Sequence, residues 1–401
     1  MAVTGRCGSC SRKSGSDGKR GFGVKIYLVG GAVRDRLLGL PVYDRDWVVV
    51  GATAKQMVDA GYQSMPGNFP VFIHPESGDE YALARTEVKT GPGYHGFEVD
   101  AGPDITLEQD LLRRDLTINA LAEDADGNII DLCHGRDDLD EGLLRHITPA
   151  FTEDPVRLLR IARFAAKLGQ WGFRVVHGTH DLMKKMAASD DLPNLKSERV
   201  WREMKKALAQ PQPWRFFEVL HQCGVLQRLF PVLGETMGDA AAHGHPSPKA
   251  AMAPLHRAVA LTEDLRVRFV AVMFAGLVRT GEMAEFSRQL PVEREFTDLL
   301  EWVLAHGVEL DAETSAENLL RIVARLKPMQ QPERYRAFEQ SCHALWPEKM
   351  KTAWPRLELA GQVVSSVDVQ ALRRTGLEGA ALGDALQHAR VEMLQERLSD
   401  F

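Results

Sequence analysis

The point at which strand patterning stops constrains the fold more than any other feature of the chain. From about Ile26 to Ile147, short apolar runs typical of strands alternate with helical segments and with turns that contain Gly or Pro. Beyond residue 176 no convincing strand pattern is found, and amphipathic helical periodicity continues to the end of the 401-residue chain. The sequence therefore predicts an α+β N-terminal head, built as a small mixed sheet with helices, followed by an all-α remainder.

Four regions differ in composition and patterning. Residues 1–24 are rich in Gly, Ser, Lys and Arg and poor in apolar side chains, so they cannot bury a core and are predicted to be disordered. The predicted head occupies residues 25–148, and a helical neck and body occupies residues 149–235. A Gly-, Ala- and Pro-rich stretch near 235–254 is typical of a linker or long loop, and a helical C-terminal region occupies residues 236–401.

Composition excludes several classes of protein. No apolar run approaches the ~20 residues of a membrane span, so no membrane partner is expected. The net charge of −6 excludes a globally basic nucleic-acid-binding protein, so any RNA-binding surface must be local. Five cysteines in so long a chain form no disulfide framework, which fits a reducing cytoplasm. The lone Cys7–Cys10 pair lacks further zinc ligands nearby and is interpreted as incidental.

A pair of glycines follows the first predicted strand. In Leu28-Val-Gly30-Gly31-Ala-Val-Arg34, the strand runs into the glycines and then directly into a helix. Glycine lets the backbone approach a phosphate closely, and a helix N-terminus offers free N–H groups. Arg34, one turn into the helix, would add a charged fork. Alone, such a turn is usually only a tight strand–helix connection, so its significance depends on the neighbouring residues.

Two carboxylates lie a few residues further along the chain. Asp44-Arg45-Asp46 leads into the apolar strand Trp47–Val50, and in a strand residues i and i+2 point to the same side. Carboxylates on one side repel each other unless cations lie between them, and oxygen ligands suit Mg²⁺. A bare Asp-x-Asp is usually a solvated turn. Behind a glycine turn and ahead of a buried strand, Asp44 and Asp46 predict a Mg²⁺ site.

A third motif, Arg113-Arg114-Asp115, lies in a helix predicted over Glu108–Ala122. Asp115 and Asn119 share a face of that helix, and Arg114 would reach a triphosphate or a ribose. A helix with ordinary surface arginines is the simpler interpretation of this segment when it is taken alone.

The fourth motif places charged residues at every third position near the start of a neck helix: Asp154, Arg157, Arg160 and Arg163. Alternating charges usually mark a solvated face. However, a carboxylate accepts a hydrogen bond from an exocyclic amine, and a guanidinium donates one to a ring nitrogen. Cytosine and adenine present an amine beside an acceptor nitrogen, whereas uracil and guanine present a carbonyl and an N–H there. Asp154 with Arg157 would therefore admit CTP and ATP without a nucleic-acid template.

At these four motifs the sequence closely resembles bacterial class II tRNA nucleotidyltransferases, the CCA-adding enzymes of the DNA polymerase β nucleotidyltransferase superfamily. The match runs nearly without gaps from Lys25 to about Phe217 and includes the stretches Tyr81–Glu87 and Glu198–Trp201. The resemblance implies an architecture of head, neck, body and tail. It implies that the protein adds and repairs the 3′-terminal CCA of tRNA from CTP and ATP and releases diphosphate. It also implies two-metal catalysis with Mg²⁺, and the cysteine usage places the protein in the cytoplasm. A monomer or weak dimer is expected.

The same resemblance implies a role for each motif residue. Catalysis and metal binding fall to Asp44 and Asp46, with Glu87 as a candidate third carboxylate. The nucleotide is contacted by Gly31, Arg34, Arg114, Arg160 and Arg163. Base selection falls to Asp154 and Arg157, as a protein template. The tRNA is expected along basic helices that carry Lys184, Lys185, Lys196, Arg199, Arg202, Lys205, Lys206 and Arg215.

The C-terminal region departs from the pattern of many proteobacterial relatives. Those proteins carry an HD phosphohydrolase domain, in which a His-Asp pair binds metal. After Arg268-Phe269 this chain reads Val272-Met-Phe274-Ala-Gly276, and apolar side chains cannot ligate a metal. We therefore predict a degenerate HD-type domain without metal-dependent phosphohydrolase activity.

Three alternative functions remain open. A bacterial poly(A) polymerase shares the Gly-Gly, Asp-x-Asp and Arg-Arg-Asp motifs, although Trp47–Gly51 and Tyr81–Glu87 favour CCA addition. An enzyme restricted to CC or A addition is also compatible, although the intact 88–96 loop argues against CC addition alone. A non-catalytic RNA-binding relative would have no reason to hold Asp44 and Asp46 next to phosphates.

Overall fold

The computed structural model describes two compact units. Its described residues are 23–67, 69–91, 97–189, 191–192, 195–237, 248–280 and 290–399. Residues 1–22 of the predicted N-terminal extension and residues 92–96 of the predicted loop lie outside them. The first unit comprises the chain up to Val88, Glu98–Leu112 and Leu121–Leu132. The second comprises Lys89–Phe97, Arg113–Ala120 and the chain from Cys133 onward.

A mixed sheet organises the first unit. Within the described residues its seven strands are β1 (Lys25–Val29), β2 (Asp46–Val50), β3 (Gln63–Ser64), β4 (Val71–Ile73), β5 (Glu80–Leu83), β8 (Leu121–Glu123) and β9 (Ile129–Asp131). Their spatial order is β3-β4-β5-β2-β1-β8-β9. β2 runs antiparallel to β1 and parallel to β5, so the sheet is mixed. Strands β6 (Thr86–Lys89) and β7 (Phe97–Asp100) pair separately.

The sheet is held by an apolar cluster on one face. Val49, Met57, Phe72 and Leu83 pack together there, each at most 5% exposed. Two helices flank the central strands, α1 (Gly31–Leu37) and α2 (Ala54–Asp59), and α2 begins with a capping box. Burial of each such side chain contributes roughly 1.5–3 kcal/mol, which fixes β2, β4 and β5 against α2.

One predicted helix of this region is wrong. The sequence predicts a helix over Glu108–Ala122, but α3 covers only Leu107–Leu112, and a 3-10 turn follows at Thr117–Asn119. Tertiary hydrogen bonds override the helical pattern, since the Thr117 amide donates to the Arg145 carbonyl at 3.0 Å. The apolar runs of the sequence predict strands at 26–29, 47–50, 71–73 and 81–85, and all four are confirmed to within one or two residues.

From Cys133 onward, the described residues of the second unit are helical apart from one short parallel pair, β10 (Leu143–Leu144) with β11 (Arg174–Val175). Its helices up to residue 261 are α4 (Gly135–Asp140), α5 (Val156–Leu168), α6 (His177–Ala187), α7 (Ser197–Leu208), α8 (Trp214–Gln222), α9 (Val225–Leu229), α10 (Pro231–Thr236), α11 (Pro248–Ala251) and α12 (Ala253–Leu261). The α-helices described after residue 261 are α13 (Leu265–Thr280), α14 (Arg294–Trp302), α15 (Ala316–Leu326), α16 (Pro332–Leu345), α17 (Pro347–Ser366), α18 (Val369–Arg374) and α19 (Gly379–Ser399).

Among the described residues no strand follows β11, which confirms the predicted all-α remainder. The helical periodicity of the sequence predicts one helix over 256–280, but the structure divides it into α12 and α13. The Asp264 carboxylate accepts a hydrogen bond from the Arg266 amide and so starts a new helix. None of the helices in the described segments is long and apolar enough to cross a membrane.

Helix α5 forms the buried centre of this unit and packs against α7 and α8. Leu158, Ile161 and Ala165 are fully buried on its apolar face. The charged residues at every third position therefore lie on the rest of the helix, where their partners decide what they can do.

Candidate active site

The glycine turn and the second aspartate of the Asp-x-Asp pair lie at the same edge of the sheet. Asp46 is the first residue of β2, and it pairs in register with Val29, the last residue of β1. Gly30 follows with φ 68° and ψ −123°, a backbone conformation that glycine adopts readily. The Gly30 amide donates to the Leu121 carbonyl at 3.0 Å, which fixes the turn beside Asp46.

Asp44 and Asp46 are both exposed, but only Asp46 belongs to the strand. Asp44 lies two residues earlier in an irregular segment, so strand alternation does not place the two side chains. Two exposed carboxylates suit Mg²⁺, which is usually held by one or two carboxylates and completes its shell with water and substrate phosphates. The described residues contain no group of three His, Cys, Asp or Glu side chains that could hold a metal ion. Glu87 pairs with Arg85 at 2.9 Å.

Arg34 is anchored inside the first unit. Its side chain is only 4% exposed, and two of its guanidinium nitrogens contact Asp35 Oδ1 at 2.8 and 2.7 Å. No side chain caps the N-terminus of α1, which begins at Gly31. A Cβ added at Gly31 would lie 3.5 Å from a terminal nitrogen of Arg34, which is ordinary contact. Space alone therefore does not require glycine at this position.

An aromatic layer lies next to Asp46 along β2 and β5. The rings of Trp47 and Tyr81 stack with centroids 5.6 Å apart, and Trp47 Nε1 donates to Asp79 Oδ2 at 3.3 Å. Burial, with the nearby Tyr62 and Asp79, raises the pKa of Tyr81 to about 12, so it stays a neutral phenol at physiological pH. This layer fixes the start of β2, and the Asp79 contact was not predicted from the sequence.

In the second unit, Asp115 is the centre of a buried hydrogen-bond network. Its Oδ1 accepts from the Leu116 amide at 2.9 Å and from Asn119 Nδ2 at 3.0 Å. Its Oδ2 accepts from Arg160 Nε at 2.6 Å. Burial alone would raise the pKa of Asp115, but the Arg160 charge and the Asn119 hydrogen bond outweigh it and hold that pKa well below its usual range.

The Arg113–Arg114 segment is tied down by its own backbone carbonyls. Arg157 donates to the Arg113 carbonyl at 2.7 Å, and Arg114 donates to the Asn119 carbonyl at 3.3 Å. Arg157 and Arg160, one turn of α5 apart, thus both hold the segment that follows Leu112.

Asp154 is held by an arginine outside the four motifs. It lies just before α5, and its Oδ1 accepts from the Val156 amide at 3.1 Å. Arg199, on α7, donates to Oδ1 at 3.2 Å and to Oδ2 at 2.9 Å, which makes a two-pronged ion pair. The sequence analysis places Arg199 only among the basic residues expected to bind tRNA. Arg199 and Asp154 are 45 residues apart in the chain, and their opposite charges were the only feature of the sequence that could have indicated the pair.

The last arginine of the neck motif is paired with α7 as well. Arg163 Nε donates to Glu203 Oε2 at 2.6 Å, and its guanidinium lies 4.6 Å from the Phe164 ring centroid. Glu203 is 6% exposed, so its charge is neutralised by this contact rather than by solvent.

Part of the predicted basic set borders a cavity of about 520 Å³ along α7. Arg202, Lys205 and Lys206 line it together with Trp201. Lys205 is paired with Glu293 at 2.6 Å, and Trp201 Nε1 donates to the same carboxylate at 2.8 Å. The basic surface at this point is therefore partly neutralised.

Two family models and several curated relatives match this chain. The family model described as "Poly A polymerase head domain" matches residues 26–145, and "Probable RNA and SrmB-binding site of polymerase A" matches residues 172–237. A multifunctional CCA protein of Pseudomonas putida is 43% identical over 378 residues, covering 93% of this chain and 99% of the relative. A CCA-adding enzyme of Pseudomonas entomophila is 43% identical over 377 residues, with the same coverage.

Solved structures share the fold at lower identity. The Thermotoga maritima CCA-adding enzyme complexed with tRNA has a TM-score of 0.64 at 20% identity, covering 94% of this chain and 90% of that one. The Bacillus stearothermophilus CCA-adding enzyme in complex with CTP has a TM-score of 0.62 at 23% identity, covering 94% and 93%.

Proposed function

The chain belongs to the CCA-adding enzymes, the CCA tRNA nucleotidyltransferases, and from this premise we propose that it adds and repairs the 3′-terminal CCA of tRNA by template-independent transfer of CMP and AMP from CTP and ATP. The observation that carries the proposal is the 43% identity to CCA-adding proteins over 93% of the chain. A poly(A) polymerase shares the head motifs but would not account for this whole-length likeness.

Nucleotidyl transfer is assigned to the edge of the sheet where Asp46 meets the glycine turn. Asp44 and Asp46 would hold Mg²⁺, which when bound activates the attacking 3′-hydroxyl of the tRNA and stabilises the leaving diphosphate oxygens. The open backbone of Gly31 and the guanidinium of Arg34 would contact the triphosphate. Diphosphate is released when the hydroxyl attacks the α-phosphate in line.

Three arginines of the second unit are proposed to bind the nucleotide: Arg114, Arg160 and Arg163. Two of them already have a buried carboxylate partner, Asp115 for Arg160 and Glu203 for Arg163. A fixed guanidinium loses little side-chain entropy when a ligand arrives, so these pairs favour a preorganised contact with developing phosphate charge.

Base selection is assigned to Asp154 and Arg157. Asp154 offers an acceptor to the exocyclic amine of cytosine or adenine, and Arg157 offers a donor to the adjacent ring nitrogen. Uracil and guanine would place a carbonyl against the carboxylate and an N–H against the guanidinium. Both mismatches leave polar groups unpaired, which costs far more than the loss of one apolar contact.

The proposed partner is the 3′ end and acceptor arm of tRNA, bound along the basic helices of the second unit through backbone shape rather than sequence. The solved relative with tRNA supports this assignment. We further propose that the protein acts in the cytoplasm as a monomer or weak dimer.

One assay tests the proposal. The protein with Mg²⁺ is incubated with tRNAs that lack CCA, CA or A, and each nucleoside triphosphate is offered singly and together. We expect CMP and AMP to be incorporated until three nucleotides complete the end, after which extension stops. A long adenosine tail would indicate a poly(A) polymerase, a stop after CC or addition of A alone would indicate a partial enzyme, and no incorporation would indicate an RNA-binding protein.

A further inference from the structure

Helix α7 presents two charged side chains, one turn apart, to the segment that carries the proposed base-selecting residues. Arg199 pairs with Asp154, and Glu203 pairs with Arg163. The charges of the two pairs are reversed. Helix α7 contributes the cation of the pair at the start of α5 and the anion of the pair in the middle of α5. The two pairs therefore join α7 to α5 and to the residue just before it at two points along the helices.

Three hydrogen bonds determine the orientation of the Asp154 carboxylate. Oδ1 accepts from the Val156 amide and from one nitrogen of Arg199, while Oδ2 accepts from the other. A carboxylate offers roughly four lone-pair positions, so these contacts leave about one acceptor position, on Oδ2. The pair is about one-fifth exposed on each side, which keeps that position within reach of a ligand.

We infer that Arg199 is a positioning residue for base selection, which orients the Asp154 carboxylate so that a single acceptor on Oδ2 faces the exocyclic amine of the incoming nucleotide. The inference rests on the proposed function, because it assigns a task to the partner of a proposed template residue. A planar guanidinium can hold both oxygens at once and so fixes the carboxylate plane. Lysine keeps the charge but, as a point donor, cannot fix that plane.

The test compares Arg199→Lys and Arg199→Gln with the natural protein. For each, kcat and KM are measured for CTP, ATP, UTP and GTP on tRNAs ending before the first C and before the A. We expect the selectivity for CTP and ATP over UTP and GTP to fall on the order of tenfold or more in both variants, since a contact to a charged group is lost. The KM for tRNA is expected to stay unchanged.

A matched control is Arg294→Lys. Arg294 also pairs with an aspartate, Asp298, at 3.5 Å, but its side chain is 90% exposed on α14. This variant is expected to retain the natural selectivity. A second control is a double-variant cycle with Asp154→Ala. If Arg199 acts through Asp154, adding Arg199→Lys to Asp154→Ala should change selectivity little further.

Several outcomes would overturn the inference while leaving the proposed function intact. They are unchanged selectivity in Arg199→Lys, an equal loss for all four nucleotides, or a rise confined to the KM for tRNA. The last would mean that Arg199 contacts the RNA instead. Failure of the natural protein itself to add CMP and AMP would refute the proposed function and, with it, the role given to Arg199.

Discussion

At the scale of single residues, the charge of Asp115 is expected to contribute to the stability of the fold. Asp115 is buried, and its partner Arg160 lies 2.6 Å away with its own side chain 37% exposed. We expect Asp115→Asn to destabilise the fold by about 1.5–3 kcal/mol at pH 7, because the charge-assisted hydrogen bond to Arg160 is lost. Urea unfolding measures this difference. Asp298→Asn, which breaks an exposed pair, should cost less than about 1 kcal/mol.

The same carboxylate makes stability depend on pH in a defined direction. Its pKa in the folded protein lies below the unfolded value of about 4, so its contribution is complete above that pH. It is lost as the pH falls from about 4 toward the folded pKa. The difference in unfolding free energy between the natural protein and Asp115→Asn should therefore shrink in that range. A difference that stays constant from pH 7 to pH 3 would show that Asp115 does not titrate in this way.

At the scale of elements, the segment after α3 is held by a buried hydroxyl. Thr117 Oγ1 donates to Asp138 Oδ2 at 2.6 Å, and both residues are less than 5% exposed. Thr117→Val keeps the shape but leaves a carboxylate oxygen without this donor. We expect a loss of about 1.5–3 kcal/mol of unfolding free energy.

Thr117→Ser is the matched variant, because it keeps the hydroxyl and removes only a methyl group. It should cost about 1 kcal/mol. Equal stability of the valine variant and the natural protein in urea titrations would show that this hydrogen bond does not hold the segment.

The same segment shows how far local sequence patterns reach. The i, i+4 spacing predicts that Asp115 and Asn119 meet, and they do, at 3.0 Å, although the backbone between them is not a continuous helix. The pattern cannot report that the Thr117 amide would bond to Arg145 instead of continuing a helix. The positions of the strands were predicted to within one or two residues, because an apolar run between two turns is a local feature of the sequence.

The partners of the site residues required tertiary information. The sequence identifies Asp154 and Arg163 as charged residues of interest, but their partners on α7 lie 45 and 40 residues away. Many opposite charges are available at such separations, and only the packing of α5 on α7 selects among them. The residue types of the proposed site were thus open to prediction, whereas their pairing was not.

At the scale of the whole molecule, the C-terminal helices, as far as they are described, contain no group of three His, Cys, Asp or Glu side chains that could hold a metal ion. Val272, Met273 and Phe274 occupy the positions where a His-Asp pair would stand, and each is at most 8% exposed within the core. We expect no metal-dependent hydrolysis of a 2′,3′-cyclic phosphate by this region. Hydrolysis that persists in a variant with both Asp44 and Asp46 replaced by Ala would contradict this.

The proposed catalytic and base-selecting residues belong to different compact units, so their variants should fail in different ways. Asp44 and Asp46 lie in the first unit, and Asp154 and Arg157 lie in the second. Asp46→Ala should lower kcat for every nucleotide by more than about a hundredfold, the upper range for residues that only support a metal ligand. Its preference for CTP and ATP over UTP and GTP should persist in whatever activity remains.

Arg157→Ala should change the selectivity among nucleotides, which Asp46→Ala is expected to keep. It removes the proposed donor to the ring nitrogen, so the rate with CTP and ATP should fall while UTP and GTP gain relative to them. Arg157 also donates to the Arg113 carbonyl, so a urea titration of the same variant is needed to show that the fold survives. The measurement is the ratio of kcat/KM for the four nucleotides on a tRNA lacking CCA. Selectivity untouched in Arg157→Ala would remove this residue from base selection, whereas altered base preference in Asp46→Ala would mean that chemistry and selection are not separable between the two units.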